Sequence, residues 1–511
     1  MNNQENTQDN NLEDIQNTQD IEQNLSELLQ VRRDKLSQLV EKGDDPFIQT
    51  RYQRNTNSQE IKKKFEFFNN KVVRIAGRIM SKRIMGKASF SHIQDSEGQI
   101  QLYFKQDNIG EDIYEEYKKL DIGDIIGVVG NVFMTKMGEI SIDISEYTLL
   151  SKSLLPLPEK WHGLQDNDLR YRQRHVDLIV NQGVKNVFVI RAKIVRAIRS
   201  CLDKKGYLEV ETPILNTIAG GASARPFVTH HNTLDIDMYM RIALELHLKR
   251  LIVGGFEKVY ELGRVFRNEG MSTKHNPEFS MMECYSAYED LNDMMTLTEK
   301  IFGAIRKETK SSSVITYQEQ QINIKTPFAR MDMIAAVKKY AGVDFGATDD
   351  TETLVQLMYN LGLTLPENSS WGNILYAAFE HFAEPNLIQP TFITDYPIEV
   401  SPLAKKKSFD ERLVERFELF IAGREFGNAY TELNDPIDQA ERFVEQQRLR
   451  DNGDSEAQPF DQDFLSALEL GMPPTGGLGL GIDRIVMLFT DSPSIRDVLL
   501  FPTMKPISTK H

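Results

Sequence analysis

Three stretches of the chain place arginines and carboxylates where they can grip charged small molecules. The first is Phe266-Arg267-Asn268-Glu269, followed by His275-Asn276-Pro277-Glu278-Phe279. The second is Gly477-Leu478-Gly479-Leu480-Gly481-Ile482-Asp483-Arg484, preceded by Gly476. The third holds Glu411, Glu415, Glu418 and Glu425. An arginine fork binds carboxylate or phosphate in a planar, two-point contact that lysine cannot copy. Paired carboxylates suit ammonium groups or a hard cation. Each stretch also has an ordinary reading: an Arg267–Glu269 ion pair, a core Phe279, solvated acids, and glycines that permit tight packing.

The common catalytic motifs fail on inspection. Gly86-Lys87-Ala88 resembles the end of a P-loop, but position 81 is Ser and position 88 is Ala. The glycine run does not fit the Rossmann spacing. There is no His-Glu-x-x-His, and nine histidines with two cysteines, Cys201 and Cys284, make no zinc pattern or disulfide framework. No Gly-x-Ser-x-Gly elbow occurs.

Two kinds of framework must position these groups. Between 71 and 149, five short alternating runs (71–80, 89–94, 98–105, 124–132 and 139–149) are broken by glycines, which predicts a small closed β-barrel such as the OB-fold. In 98–105, Ile100, Leu102 and Phe104 point one way and Gln101 and Tyr103 the other. Leu154-Leu155-Pro156-Leu157-Pro158 marks a boundary. Beyond it, Val184, Val187, Ile190, Ile194, Ile198 and Leu202 recur at helical spacing, and Gly206 ends the helix. A strand over Tyr207–Leu215 is expected next, with Pro213 inside it. Helices and strands then mix without a βαβ rhythm, which predicts α+β with an antiparallel sheet. Residues near 310–385 read as a helical insertion.

The 511 residues carry 60 Lys+Arg against 75 Asp+Glu, a formal charge of −15. The length favours about three domains. No run of about 18 apolar residues exists, so no membrane helix is expected. Net negative charge alone argues against a nucleic-acid partner. The charge is uneven, however. Residues 1–31 hold seven acids and no Lys or Arg, so 1–30 reads as a disordered acidic tail running into a helix near 21–43, with a helical segment over 31–70. The tail resembles neither a secretory signal nor a mitochondrial presequence, leaving a cytoplasmic location as the expectation. Residues 51–87 hold eleven basic residues and two acids, a basic approach to the barrel.

The helix joined to Gly206-Tyr207-Leu208-Glu209-Val210-Glu211-Thr212-Pro213, the Arg267 segment and the Arg484 segment together resemble motifs 1, 2 and 3 of class II aminoacyl-tRNA synthetases. Flanking segments extend the match: Ala219-Gly220-Gly221-Ala222, Leu244-Glu245-Leu246, Met281-Met282-Glu283-Cys284-Tyr285 and Gly427-Asn428-Ala429-Tyr430-Thr431-Glu432-Leu433. The set resembles the lysyl family of the aspartyl/asparaginyl/lysyl subclass over roughly residues 60–511. This implies an OB-fold anticodon-binding domain at 71–155 and a catalytic domain at 170–511. It implies ATP-dependent formation of lysyl-adenylate, transfer to the 3′-terminal ribose of tRNA(Lys), and a homodimer across the motif 1 helix. A protein-lysylating paralogue is a second reading, but such relatives lack the barrel. A regulatory homologue with a dead core is a third, but Arg267, Arg484 and the acids are all present.

By resemblance, Arg267 bridges the amino-acid carboxylate and the ATP α-phosphate. Glu269, His275, Phe279, Glu425 and Arg484 join it at ATP, with Arg484 over adenine opposite Phe279 or near the γ-phosphate. Glu418 and Glu425 are implied ligands of Mg²⁺. Lying seven apart, they fit two helical turns, or one strand face if a bulge breaks the odd offset. Gly221 and Glu245 are placed at the lysine α-amino group, and Glu283, Tyr285, Asn428 and Glu432 around its ε-ammonium. Phe90 is expected to stack an anticodon base while Gln101 and Glu139 read the central uridine.

Overall fold

The computed structural model describes residues 26–158, 164, 166–366, 369–454 and 457–507. Most of the expected acidic tail, residues 1–25, lies outside the described residues. The chain divides into two compact units between residues 163 and 164.

In the first unit, residues 26–41 are helical. Five strands follow: β1 (Val72–Met85), β2 (Ala88–Gln94), β3 (Gln99–Lys105), β4 (Ile125–Met134) and β5 (Ile140–Ser151). They close into a barrel in the order β1-β2-β3-β5-β4. Strict alternation builds it: Ile100, Leu102 and Phe104 are buried inside with Ile75, Val128 and Ile142. Helix α1 (Glu111–Lys119) supplies Tyr114 and Tyr117 to the same core, and the Tyr117 ring stacks on Phe104 at 3.7 Å. The five expected strands are all present, and β1 runs five residues longer than expected.

In the second unit an eight-stranded sheet has the order β14-β15-β16-β17-β18-β11-β10-β6. Its strands are β6 (Leu208–Glu209), β10 (Lys258–Phe266), β11 (Glu278–Ala287), β14 (Ala329–Asp332), β15 (Thr391–Pro397), β16 (Leu413–Ile421), β17 (Arg424–Thr431) and β18 (Thr475–Gly481). Three short strands, β7 (Leu215–Asn216), β8 (Val228–His231) and β9 (Ile236–Met240), form a separate sheet, and β12 (Val314–Tyr317) and β13 (Gln320–Asn323) a hairpin. The main sheet is antiparallel through its six central strands and parallel at both edges, β6 on β10 and β14 on β15.

Two expectations need correction. The strand expected over Tyr207–Leu215 is broken: only Leu208–Glu209 pairs with β10, and Leu215–Asn216 pairs in the small sheet. Pro213 sits between the two, where its missing N–H costs no ladder bond. The segment near 310–385 is not simply helical, since β12, β13 and β14 occupy its first part. Gln320 and Gln321 lie in a polar hairpin whose buried Tyr317 and Ile322 reach the core, a pattern too short to distinguish by periodicity.

Besides two short helices, Asn167–Arg172 and Arg174–Val180, this unit holds α2 (Gln182–Asp203), α3 (Glu245–Val253), α4 (Leu291–Thr309), α5 (Met333–Ala341), α6 (Thr351–Asn360), α7 (Trp371–Ala378), α8 (Pro436–Asp451), α9 (Gln462–Glu469) and α10 (Ile482–Thr490). Helices α2, α4 and α10 bury one face of the sheet: Ile194, Ile198, Met294, Ile301 and Ile485 pack on Met282, Cys284, Phe417, Leu419, Leu478 and Leu480. On the other face one apolar cluster joins α3 and α9 to the β10–β11 side, and a second joins α5, α6 and α7 to the β15–β16 side. Between these two clusters the sheet face is polar and open.

Candidate active site

The polar face of the sheet floors a cavity of about 740 Å³. Every residue placed by resemblance at lysine, ATP or the metal lines it: Gly221, Glu245, Arg267, Glu269, His275, Phe279, Glu283, Tyr285, Glu418, Glu425, Asn428, Glu432 and Arg484. Strand alternation explains how. On β11, Phe279, Met281, Glu283 and Tyr285 face the cavity, while Met282 and Cys284 face the core. On β18, Gly477, Gly479 and Gly481 face it, with Leu478 and Leu480 behind. The glycine run is therefore a floor without side chains. A Cβ at Gly477 would overlap the Glu432 carboxylate and the Tyr285 ring.

Strands β16 and β17 form a two-residue hairpin whose turn residues, Ala422 and Gly423, both have positive φ, as a twisted hairpin requires. Glu418 and Glu425 thus lie on neighbouring antiparallel strands, neither on a helix nor on one strand. The register shifts between Leu419 and Phe420, where Glu418 faces Asn428 and Phe420 faces Glu425. This bulge resolves the odd offset between Glu425 and Asn428: both reach the cavity with Tyr430 and Glu432, while Ala429 stays in the core and Phe426 borders both.

At one end of the cavity three glutamates are buried together. Glu283 accepts the Leu244 N–H and the Tyr285 hydroxyl, each at 3.0 Å. Burial, and then the charge of Glu245, push its pKa up to about 7 against those two donors. Lys249 is wholly buried, with its ammonium 2.6 Å from Glu245 Oε1 and 2.5 Å from Glu432 Oε2. Burial alone would lower the Lys249 pKa, but the two carboxylates raise it above its ordinary value. Burial raises Glu432, with Lys249 opposing. Gly221 adopts φ +87°, and a Cβ there would press on Ala243 and Glu245, so this wall needs glycine.

At the other end sit the arginines. Arg267 lies with its guanidinium 5.2 Å from the Phe279 ring centre, and its Nε donates to the Ile242 carbonyl at 3.4 Å. Arg484 donates to the Glu425 carbonyl oxygen at 2.6 Å and to its carboxylate at 3.1 Å. In this structure Arg267, not Arg484, therefore covers Phe279. Asp483 instead binds inward, accepting the Ser280 N–H at 2.7 Å and pairing with Arg191 of α2. Arg484 is thereby left to the cavity. His275 accepts from or donates to Ser272 at 3.2 Å, and its pKa is lowered by burial at the rim and by Arg484.

Glu418 accepts from Arg416 at 2.5 Å and from the Tyr396 hydroxyl at 3.0 Å. Burial raises its pKa, Arg416 lowers it, and Glu425 across the hairpin raises it again. Two carboxylates that repel one another on one face are what a divalent cation would relieve. Mg²⁺ needs only one or two protein carboxylates when phosphate and water complete its shell. The donor set fits, although no cluster of three or more His, Cys, Asp or Glu suited to a metal exists among the described residues.

The motif reading overlooked Lys249, Arg416 and Tyr430. Lys249 stands four residues after Glu245, an i, i+4 pair visible in the chain. Tyr430 stands two after Asn428 and receives its amide N–H at 2.8 Å. Arg416 stands two before Glu418 and also donates to Asn428 at 3.1 Å.

The barrel surface carries a second group of residues. Phe90 faces outward and stacks on Tyr103 at 4.7 Å, with Phe133 5.9 Å beyond. Beside them Gln101 donates to Glu139 at 2.7 Å and accepts from Ser141 at 2.7 Å, while His92 meets Glu139 at 2.9 Å. Not all of the basic stretch faces solvent. Lys82 turns inward to the Lys118 and Leu120 carbonyls, and Arg78 donates to the Gly123 carbonyl.

The β-barrel with its aromatic platform and the antiparallel sheet whose open face gathers arginines and acids each match a known family. Residues 166–505 match the profile of tRNA synthetases class II (D, K and N), and residues 73–150 match that of the OB-fold nucleic acid binding domain. The chain is 57% identical over 482 residues to the lysine–tRNA ligase of Thermoanaerobacter pseudethanolicus, covering 94% of this chain and 97% of that protein. It is 56% identical to the lysine–tRNA ligase of Pelotomaculum thermopropionicum, covering 97% and 98%, and 54% identical to that of Clostridium tetani, covering 96% and 98%. The chain therefore belongs to the class II tRNA synthetases, in the lysine–tRNA ligase family.

Proposed function

We propose that this chain activates L-lysine with ATP and transfers it to the 3′-terminal ribose of tRNA(Lys). The observation that carries the reading is the burial of Glu245, Glu283 and Glu432 at one end of a cavity whose other end holds Arg267 and Arg484. A substrate with two ammonium groups and one carboxylate complements that arrangement. Aspartate or asparagine would leave the carboxylates unpaired, at a cost of about 3–5 kcal/mol.

In this reading Glu245 and the Gly221 carbonyl hold the α-amino group. Glu283, Glu432, Tyr285 and Asn428 hold the ε-ammonium. Arg267 holds the lysine carboxylate against the α-phosphate of ATP. Glu269, His275 and Phe279 hold the nucleotide, and Arg484 leaves Glu425 to meet the phosphates. A carboxylate oxygen attacks the α-phosphorus and pyrophosphate departs. The terminal ribose hydroxyl then attacks the adenylate carbonyl, releasing AMP. The residues act by position and charge cancellation, since no covalent bond to protein is needed. Glu418 and Glu425 would hold Mg²⁺, which supplies further cancellation of phosphate charge.

Residues 71–155 would bind the anticodon through Phe90, Gln101 and Glu139, while 170–511 would form the catalytic domain. A homodimer across α2 and a cytoplasmic location belong to the same reading. Helix α2 leaves Val189 45% exposed, and no helix among the described residues is long and apolar enough to cross a membrane. The direct test is ATP–pyrophosphate exchange across the twenty amino acids, with and without tRNA. Lysine alone should support exchange, and Glu283→Gln or Glu432→Gln should raise the lysine KM far more than the ATP KM. Exchange with aspartate or asparagine, or unchanged lysine KM in both variants, would refute the assignment.

A further inference from the structure

Lys249 is a cation built into the wall of the amino-acid pocket. It is fully buried on α3, and its ammonium reaches one oxygen of Glu245 and one of Glu432. Both carboxylates line the cavity, together with Glu283. Neither Glu432 oxygen has an aligned hydrogen bond, although Glu432 is wholly buried. A buried carboxylate held by one off-axis ion pair keeps acceptor capacity that a ligand can satisfy.

The charges then count usefully. When all three glutamates are ionised, Lys249 leaves the three carboxylates a net charge of −2, matching the two ammonium groups of a diamino acid. Lys249 also divides the oxygens, taking Oε1 of Glu245 and Oε2 of Glu432, so each carboxylate retains one. We propose that Lys249 is a positioning residue that sets substrate specificity: it ties Glu245 to Glu432 and thereby fixes the distance at which two substrate ammonium groups are accepted. This rests on the assignment of the cavity to lysine. A diamino acid one methylene shorter, ornithine, should then meet the two free oxygens less well than lysine.

The test uses the full-length enzyme in ATP–pyrophosphate exchange with lysine and with ornithine, comparing wild type with Lys249→Met and Lys249→Gln. Either variant should raise the lysine KM at least tenfold, keep the ATP KM within about twofold and narrow the lysine-to-ornithine ratio at least fivefold. The pH profile separates this from a role in folding alone. Glu432 is faced by Lys249 and Glu245 of α3, Glu283 and Tyr285 of β11, and Tyr430 of β17. Without the lysine cation its carboxyl holds a proton to higher pH, so the variants' lysine KM should fall more steeply than that of wild type between pH 6.5 and 8.5. Wild-type lysine KM and discrimination in the variants would overturn the proposal. So would loss of fold in both, which would make Lys249 a stability residue only. A wild-type enzyme without lysine preference would instead refute the assignment of the cavity, a result distinct from either.

Discussion

Arg416 and Glu418 stand two residues apart on one face of β16, joined by a buried ion pair of 2.5 Å. The same guanidinium donates to Asn428 on β17 and to the Val400 carbonyl and the Ser401 hydroxyl, each of the last two within 2.8 Å. One buried cation thus orders both the Glu418 carboxylate and the Asn428 amide, which face one another across the β16–β17 pair.

Replacing Arg416 tests that linkage. Arg416→Met leaves Glu418 buried without its cation, which costs about 3–5 kcal/mol. Thermal unfolding should show a lowered Tm, and pyrophosphate exchange should show both the lysine and ATP KM raised. Arg416→Lys keeps the charge but not the fork and should fall between. Wild-type melting and kinetics in Arg416→Met would show that Glu418 does not depend on this pair.

The raised pKa of Glu283 makes stability depend on pH and, in the proposed lysine pocket, should make lysine binding depend on it too. Its folded pKa, raised to about 7, exceeds the ordinary carboxyl value, so the folded state binds the proton more tightly than the unfolded chain. The associated stability is present below about pH 4.5 and lost as pH rises through 7, by an amount on the order of 3 kcal/mol. A bound ammonium offsets that loss. Lysine should therefore raise the Tm more at pH 8 than at pH 6, and Glu283→Gln should reduce the difference, leaving the part due to Glu432. Equal lysine-induced shifts at both pH values in wild type would contradict this account.

Phe90 is read as a stacking platform because its ring lies outward against Tyr103 rather than in the barrel core. Phe90→Ala should weaken tRNA binding by about 1–3 kcal/mol, seen as a raised tRNA KM in aminoacylation. Pyrophosphate exchange without tRNA should be unchanged. Equal loss in both assays would place the defect in folding rather than in recognition.

The glycine floor makes a paired prediction. Gly477→Ala drives a methyl into the Glu432 carboxylate and the Tyr285 ring, while β18 is held between β11 and β17 and cannot retreat. Exchange activity should fall at least a hundredfold. At Gly479 the nearest atom to an added Cβ is Glu283 Cγ at 3.6 Å, an ordinary contact. Gly479→Ala should melt within about 2 °C of wild type, since that added contact costs little. Comparable melting and activity in the two variants would show that the floor tolerates side chains.

Much of the frame was legible in the sequence because local periodicity has a local cause. Ile100, Leu102 and Phe104 alternate with Gln101 and Tyr103, and the barrel buries the first set and leaves the second half-buried on its outer face. The helical stripe ending at Leu202 became α2, with Gly206 in the left-handed region just past its end. The order of the three motifs carries the family resemblance, and with it come Arg267, Arg484, Glu283 and Glu432, which line the cavity. Pairing could not be read this way. Glu425 and Asn428 lie an odd number of residues apart, and only a bulge opposite Leu419 and Phe420 brings both to the cavity. Lys82 counted as part of a basic surface, yet its ammonium turns to backbone carbonyls near α1. Lys249 and Arg416 each have one carboxylate nearby in sequence, Glu245 and Glu418, but their other partners, Glu432 for the first and Asn428, Val400 and Ser401 for the second, come from other elements. A chain determines which residue types recur and at what period. Which partner a buried charge finds depends on strand register and on residues more than a hundred positions away, as Lys249 with Glu432 shows, and only the tertiary structure decides it.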